Sequence, residues 1–253
     1  HISFSELKTW AECPFKHRLK YIDGINGFTG NVFTAFGTAI HSVCEFIAKD
    51  ELDPIDYDEH FDLAFLCELK KLDEKPDKKI IMDMRQQGKS LSPSVFPQLK
   101  EYFGEHEVFS TEEMLYETIE ELSYKWYLKG FIDLVIKTED GKYHILDWKS
   151  CSWGWDAKKR SEKLITYQLT LYKKFFCKKH DIDPELVETH FGLLKRTAKD
   201  NRVEIFRVTS GKRKMANATK LLVDGCRTIK AKNHVKNRTS CQKCEFLHTE
   251  HCP

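Results

Sequence analysis

Across residues 131–149 apolar and polar positions alternate with a period of two, in two runs split by Glu139-Asp140-Gly141. That pattern predicts a β-hairpin, with Gly141 where a three-residue loop needs a left-handed residue. If Thr138 faces Lys142, Asp133 falls opposite Asp147, and the strand period puts Lys149 on the face of Asp147. A two-residue Asp-Gly loop would instead pair Asp133 with Trp148 and send the carboxylates to opposite faces. The first register is preferred partly for its chemistry.

Elsewhere the period becomes helical. Ser3 and Glu6 form a capping box for an opening helix to about residue 21, with Leu7, Trp10 and Leu19 inward and Pro14 interrupting it at Cys13. After a glycine-rich turn (Gly24, Gly27, Gly30), residues 35–49 read as a helix with Ile40, Val43, Cys44 and Ile47 inward and His41 one turn from Glu45. Residues 52–72 read as an acidic amphipathic helix, 77–94 as polar and irregular, and 95–103 as a short helix. Strands are expected at 114–121, 122–128, 187–195 and 202–208. Helices follow at 164–179, where Gln168 and Tyr172 flank an apolar stripe, and at 212–224. The resulting architecture is α/β, a mixed central sheet flanked by helices. Its expected parts are N-terminal core helices (1–49), a helical insert (50–110), a core of sheet and helices (111–225) and a basic tail with a cysteine cluster (226–253).

The 253 residues, 41% of them hydrophobic, suit one large domain or a core with an insert. No apolar window is long enough for a membrane span, and no signal pattern opens the chain, so a cytoplasmic protein is expected. A net charge of +2 conceals an asymmetry: residues 101–121 hold eight acids and no Lys or Arg, and residues 195–238 hold fourteen Lys or Arg against three acids. That imbalance points to a polyanion for the C-terminal third. Gly88-Lys89-Ser90 resembles the end of a phosphate-binding loop, but Asp83 stands where that motif needs glycine, which excludes an NTPase.

Two carboxylates on adjacent strands repel and cost desolvation unless a cation or a shared proton compensates them. A divalent metal is the simplest compensation; Mg²⁺ takes a few carboxylate oxygens, keeps waters and borrows phosphate oxygens from a substrate. Lys149 would then orient or activate water and stabilise charge on phosphorus, the alternative being an edge-strand salt bridge. Glu117, on the strand before the hairpin, is placed to reach the same site. Trp153 and Trp155 interleaved with Lys158, Lys159 and Arg160 suit base stacking and phosphate binding, with Lys195 and Arg196 opening the basic third. A loop anchored by buried tryptophans reads equally well.

Cys241-x-x-Cys244 and Cys252 put three thiolates within twelve residues, a metal or iron-sulfur spacing. The fourth ligand is Cys13, which would join the chain ends, or His248 or His251, which would make a zinc knuckle.

Gly37-Thr38-Ala39-Ile40-His41, Gly130-Phe131-Ile132-Asp133, Asp147-Trp148-Lys149 and Gln168-x-x-x-Tyr172, in that order, resemble the motifs of the PD-(D/E)xK nuclease superfamily. The nearest branch is the RecB-like one, with CRISPR-associated and phage exonucleases, and the likeness covers most of the chain outside the insert. It implies a restriction-endonuclease-like sheet, with His41, Asp133, Asp147 and the Trp148 carbonyl as metal ligands and Lys149 as the catalytic lysine. Gln168 and Tyr172 would orient the site or touch DNA, and Glu117 sits where members often carry an acid. Iron-sulfur members place one cysteine before the core and three after it, which implies a [4Fe-4S] cluster on Cys13, Cys241, Cys244 and Cys252. The wide Cys244 to Cys252 interval keeps Zn²⁺ open.

The expected function is a Mg²⁺- or Mn²⁺-dependent deoxyribonuclease, an exonuclease on single strands or ends in recombination, repair or phage DNA metabolism. The alternatives are a non-catalytic iron-sulfur subunit of a helicase-nuclease complex and a defence endonuclease. DNA is the expected partner, near the nucleoid, with room for a helicase or recombination partner and for a homo-oligomer.

Overall fold

A computed structural model describes residues 1–25 and 30–253. Its elements are β1 (Ile2–Ser3), α1 (Phe4–Glu12), α2 (Pro14–His17), α3 (Val32–Ala48), α4 (Tyr57–Lys70), α5 (Lys78–Leu91), α6 (Val95–Phe103), β2 (His106–Thr118), β3 (Tyr127–Thr138), β4 (Tyr143–Cys151), α7 (Ala157–Ser161), α8 (Lys163–His180), β5 (Val187–Lys195), β6 (Val203–Val208) and α9 (Lys212–Lys230). They fall into two compact units, one of His1–Thr29, Leu115–Gly130 and Gly211–Pro253, the other of Gly30–Met114 and Phe131–Ser210. Gly24 and Gly30 have positive φ as the glycine-rich turn requires, and Gly27 lies outside the described residues.

In the larger unit the hairpin takes the three-residue loop, with Gly141 at φ 79°. Leu134 pairs with Leu146 and Lys137 with Tyr143, and one further step in that register sets Asp133 against Asp147. β4 runs parallel to β5 and β5 antiparallel to β6, which makes the sheet mixed; β2 pairs with β3. Helix α8 packs on β4 and β5, α3 on β4, and α6 on β6. Leu146 and Trp148 enter a core with α3 to α6 that includes Phe36, Ile40, Phe61, Phe65 and Leu91.

Trp148 has room because Gly192 is its partner on β5. A Cβ at Gly192 would stand 2.3 Å from the indole carbons. Gly192→Ala therefore forces the ring or the strand aside, and overpacking of this kind costs about 1–3 kcal/mol. Denaturant melts should show a midpoint loss of that size.

Residues 77–94, expected to be irregular, instead form α5 and a short turn. Asp77 caps the helix by accepting from the N–H groups of Lys79 and Ile80, and Met84, Gly88 and Leu91 are buried. Polar residues on the remaining faces hide that stripe. Gly88 belongs to helix packing, since Phe61 carbons lie 2.1 Å from where its Cβ would be. Arg85 grips Asp62 of α4 with two hydrogen bonds (2.9 and 2.6 Å), and Lys89 adds an ion pair at 3.0 Å.

The Arg85 guanidinium, with Lys89, outweighs partial burial and holds the Asp62 carboxyl below the usual aspartate range. A depressed folded pKa adds stability that is complete above the unfolded value of about 3.9 and is lost as pH falls through the folded one. Acid titration should remove less stability from Asp62→Asn than from the native chain.

A single strand, β2, replaces the two strands expected over 114–128. It starts eight residues earlier, and residues 119–126 turn the chain into β3, closed by Ile119 N–H donating to Trp126 O (2.9 Å). The last helix likewise extends beyond residue 224 to Lys230.

In the smaller unit Ser3 caps α1, accepting from Glu6 N–H at 3.1 Å. Cys13 is extended (φ −161°) between α1 and α2, where Pro14 breaks the helix. β1 pairs in parallel with the start of β3. Helix α9 packs on α1, and Gly225 allows the approach, because a Cβ there would meet Leu7 at 2.7 Å and Trp10 at 3.2 Å.

Candidate active site

The hairpin register and helices α3 and α8 bring His41, Asp133, Asp147, Trp148, Lys149, Gln168 and Tyr172 into one cluster of the larger unit. Asp133 Oδ2 accepts from the Trp148 backbone N–H at 2.6 Å and lies 3.6 Å from His41 Nδ1. Gln168 Nε2 donates to Asp147 Oδ1 (2.9 Å) and to Tyr172 Oη (3.2 Å), which explains the i, i+4 pair on α8. Lys149 Nζ makes an ion contact with Asp147 Oδ2 at 2.5 Å. That ammonium is the partner of Oδ2 in a carboxylate that is only 1% exposed.

Burial, reinforced by Asp147, pushes the Asp133 carboxyl well up, with Lys149 and the Trp148 N–H opposing. Burial lowers His41 to about 4 against the pull of Asp147, so its imidazole is neutral near pH 7 and able to act as a ligand. Burial would also lower Lys149, but Asp147 and Asp133 overcome it and hold the ammonium charged. Two buried carboxylates this close, each raising the cost of ionising the other, fit a hard divalent cation. Asp133, Asp147, the Trp148 carbonyl and His41 are the groups that would hold it.

Glu117 belongs to the smaller unit and the residues just described to the larger. The acid that β2 does bring into the field of the cluster is Glu112, which the sequence reading missed. Its carboxyl is raised by burial, by Glu45 and by Asp147, with Lys49 opposing. Glu112 has φ 46°, a break in the strand that defeats a strict alternation count. The available signal was the Glu112-Glu113 pair inside a strand. Glu45 holds Lys49 at 2.6 Å.

The residues expected to touch DNA separate. Trp153 is 75% exposed, whereas Trp155 is 9% exposed and packs on Phe191 and Phe206. Lys158 is exposed, and Lys159 sits over the Trp155 ring at 4.7 Å. Arg160 and buried Lys195 both bind Glu204, at 2.6 and 3.3 Å. Arg196 donates to Ser152 Oγ (2.9 Å) and Gln87 Oε1 (3.2 Å) and stacks over Phe33. These last three are tied into the fold.

In the smaller unit Cys13, Cys241, Cys244 and Cys252 line one cavity of about 290 Å³ with Phe15, Leu19 and Phe246. Asn237 joins the two ends of the chain there, its N–H donating to Cys13 Sγ (3.3 Å) and its Nδ2 to Glu12 O (2.8 Å). His248 and His251 are not among the lining residues.

A mixed sheet with two apposed acids, and a lysine two residues beyond the second, defines a metal-dependent phosphodiester hydrolase of the nuclease type. The chain belongs to the PD-(D/E)XK nuclease superfamily, whose model matches residues 1–251. This family uses divalent metals and acts on nucleic acid. Among solved structures, a candidate exonuclease from Eubacterium rectale is 13% identical, with a TM-score of 0.62 over 100% of this chain and 90% of that one. SSO0001 is 14% identical, with a TM-score of 0.45 over 97% of this chain and 82% of that one. The first of these likenesses concerns the fold. No curated protein matches significantly. Among the described residues no helix is long and apolar enough to cross a membrane.

Proposed function

We propose that the protein is a Mg²⁺- or Mn²⁺-dependent deoxyribonuclease of the RecB-like branch, an exonuclease on single strands or ends in recombination, repair or phage DNA metabolism. The observation that carries this is Asp133 set against Asp147 with Lys149 on the face of Asp147. When bound, the metal supplies Lewis-acid polarisation of the phosphodiester and lowers the pKa of water. Gln168, braced by Tyr172, fixes Asp147, and the Trp148 N–H fixes Asp133. Lys149, held charged, orients water and stabilises the charge that develops on phosphorus. Trp153 is the exposed ring on which a base would stack.

Helix α4 packs along α3, the helix of His41, and His60 hydrogen-bonds Ser42 at 3.0 Å. A helical wall beside His41 favours entry of a free end. The cysteine quartet would hold a structural [4Fe-4S] cluster, since all four cysteines line one cavity. Reduced thiols suit the cytoplasm.

The test is nucleotide release from end-labelled single-stranded DNA with Mg²⁺, Mn²⁺ or EDTA. Metal-dependent release is expected, with circular single strands resistant. Circles cut as fast as linear strands would overturn the exonuclease reading. Inert, folded, metal-loaded protein would overturn the nuclease reading and favour a DNA-binding subunit.

A further inference from the structure

Three residues back from Asp147 along β4, on the opposite sheet face, His144 meets two residues of β5. His144 pairs with Glu188, and His190 stands two positions further on, so the strand period turns all three side chains to one face. Their ligand atoms lie within 4.8 Å of one another. His144 and His190 are buried and Glu188 half-buried. The sequence reading passed over them, because their strands are separated by 35 residues of loop and helix and no local spacing joins them.

The inner nitrogens, His144 Nδ1 and His190 Nε2, face each other at 3.1 Å. Each outer nitrogen has a hydroxyl partner: His144 Nε2 is 3.1 Å from Thr138 Oγ1, and His190 Nδ1 is 3.4 Å from Tyr102 Oη. When both outer nitrogens donate, both inner lone pairs point at one spot, as ligation of a shared cation requires; without a cation, one inner nitrogen donates to the other across the same 3.1 Å. Metal-binding histidines are oriented in this way, the outer N–H held by oxygen and the inner nitrogen on the metal. Two nitrogens bound to a tetrahedral zinc stand roughly 3.3 Å apart, close to the separation here.

Arg207 of β6 takes Oε1 of Glu188 at 3.2 Å, leaving the second carboxylate oxygen for a metal. Phe103 packs on both rings, at 5.1 and 5.3 Å, which fixes their planes.

We propose that His144, Glu188 and His190 form a second metal site for Zn²⁺ or a similar transition ion. A fourth position would open to solvent through a cleft lined by Glu105, Glu139 and Asp140. Nitrogen-rich ligation selects zinc-like ions, whereas the oxygen-rich cluster at Asp133 and Asp147 suits Mg²⁺ or Mn²⁺. The site ties β4 to β5, with Tyr102 of α6 as its outer brace. It stands independently of the nuclease reading.

The test is zinc content of the full chain after equilibrium dialysis against Zn²⁺, comparing the native protein with Glu188→Gln and His190→Gln. Metal at the cysteines is common to all three and cancels. Each variant should hold one zinc fewer per chain, and the rise in Tm that Zn²⁺ gives the native protein should vanish in Glu188→Gln. Equal zinc content in native and variant chains would overturn the proposal, as would a Zn²⁺-induced Tm rise that persists in Glu188→Gln. If His190→Gln does not fold, half-buried Glu188→Gln decides alone.

Discussion

Lys149→Ala should lower the rate of metal-dependent DNA cleavage by about 10²–10⁴-fold, the range for removing one preorganised charge or proton-handling group. The ammonium is the cation facing Asp147 at 2.5 Å, and both hairpin acids hold it charged. Its removal leaves two carboxylates with less compensation, so metal binding should be as tight as before or tighter while kcat collapses. Asp147→Asn should behave differently. It removes the negative charge of a ligand while leaving an amide oxygen that still accepts from Gln168, so metal affinity falls with rate. The pair of variants separates a residue that acts on reacting atoms from one that holds the metal. Labelled-strand kinetics and Mn²⁺ binding by calorimetry read the two effects. Lys149→Ala cleaving within a few-fold of the native rate, with its fold intact, would remove Lys149 from the chemistry.

The centre of the site was legible because its information is local. Gly141 selects a loop, the loop a register, and the register sets Asp133 against Asp147. The α8 pair was legible for the same reason, Gln168 and Tyr172 being one turn apart. Three other features were not legible because each depends on distant partners. Glu112 comes near through a strand irregularity at φ 46°. Helix α5 is hidden by polar faces, and its buried stripe gains meaning only against Phe61. The fate of Trp155, Arg160 and Lys195 turns on Phe206 and Glu204, contributed by β6. Composition marks these residues as a nucleic-acid surface; packing makes them structural.

With the proposed [4Fe-4S] cluster on the cysteine quartet, Cys13→Ser should release that cluster and loosen the tail of the smaller unit. Cys13 is held extended by the break before Pro14 and receives the Asn237 N–H, so one side chain joins sequence positions 224 apart. Among the described residues the tail after α9 has only a 3₁₀ helix over Arg238–Lys243, short turns and an isolated Thr249 to Cys252 bridge. Its covalent or metal ties therefore matter more than its backbone ladder. Metal-held segments of this size draw on the order of 10 kcal/mol from ligation, and opening one of four positions forfeits a large share of it. Purified Cys13→Ser should lack the native iron and visible absorbance, and limited proteolysis should cut residues 231–253 much faster than in the native chain. A colourless native protein holding zinc would replace the cluster by a zinc site. Unchanged metal content in Cys13→Ser, with metal lost in His248→Ala or His251→Ala, would move the fourth ligand into the tail and remove the clasp between the chain ends.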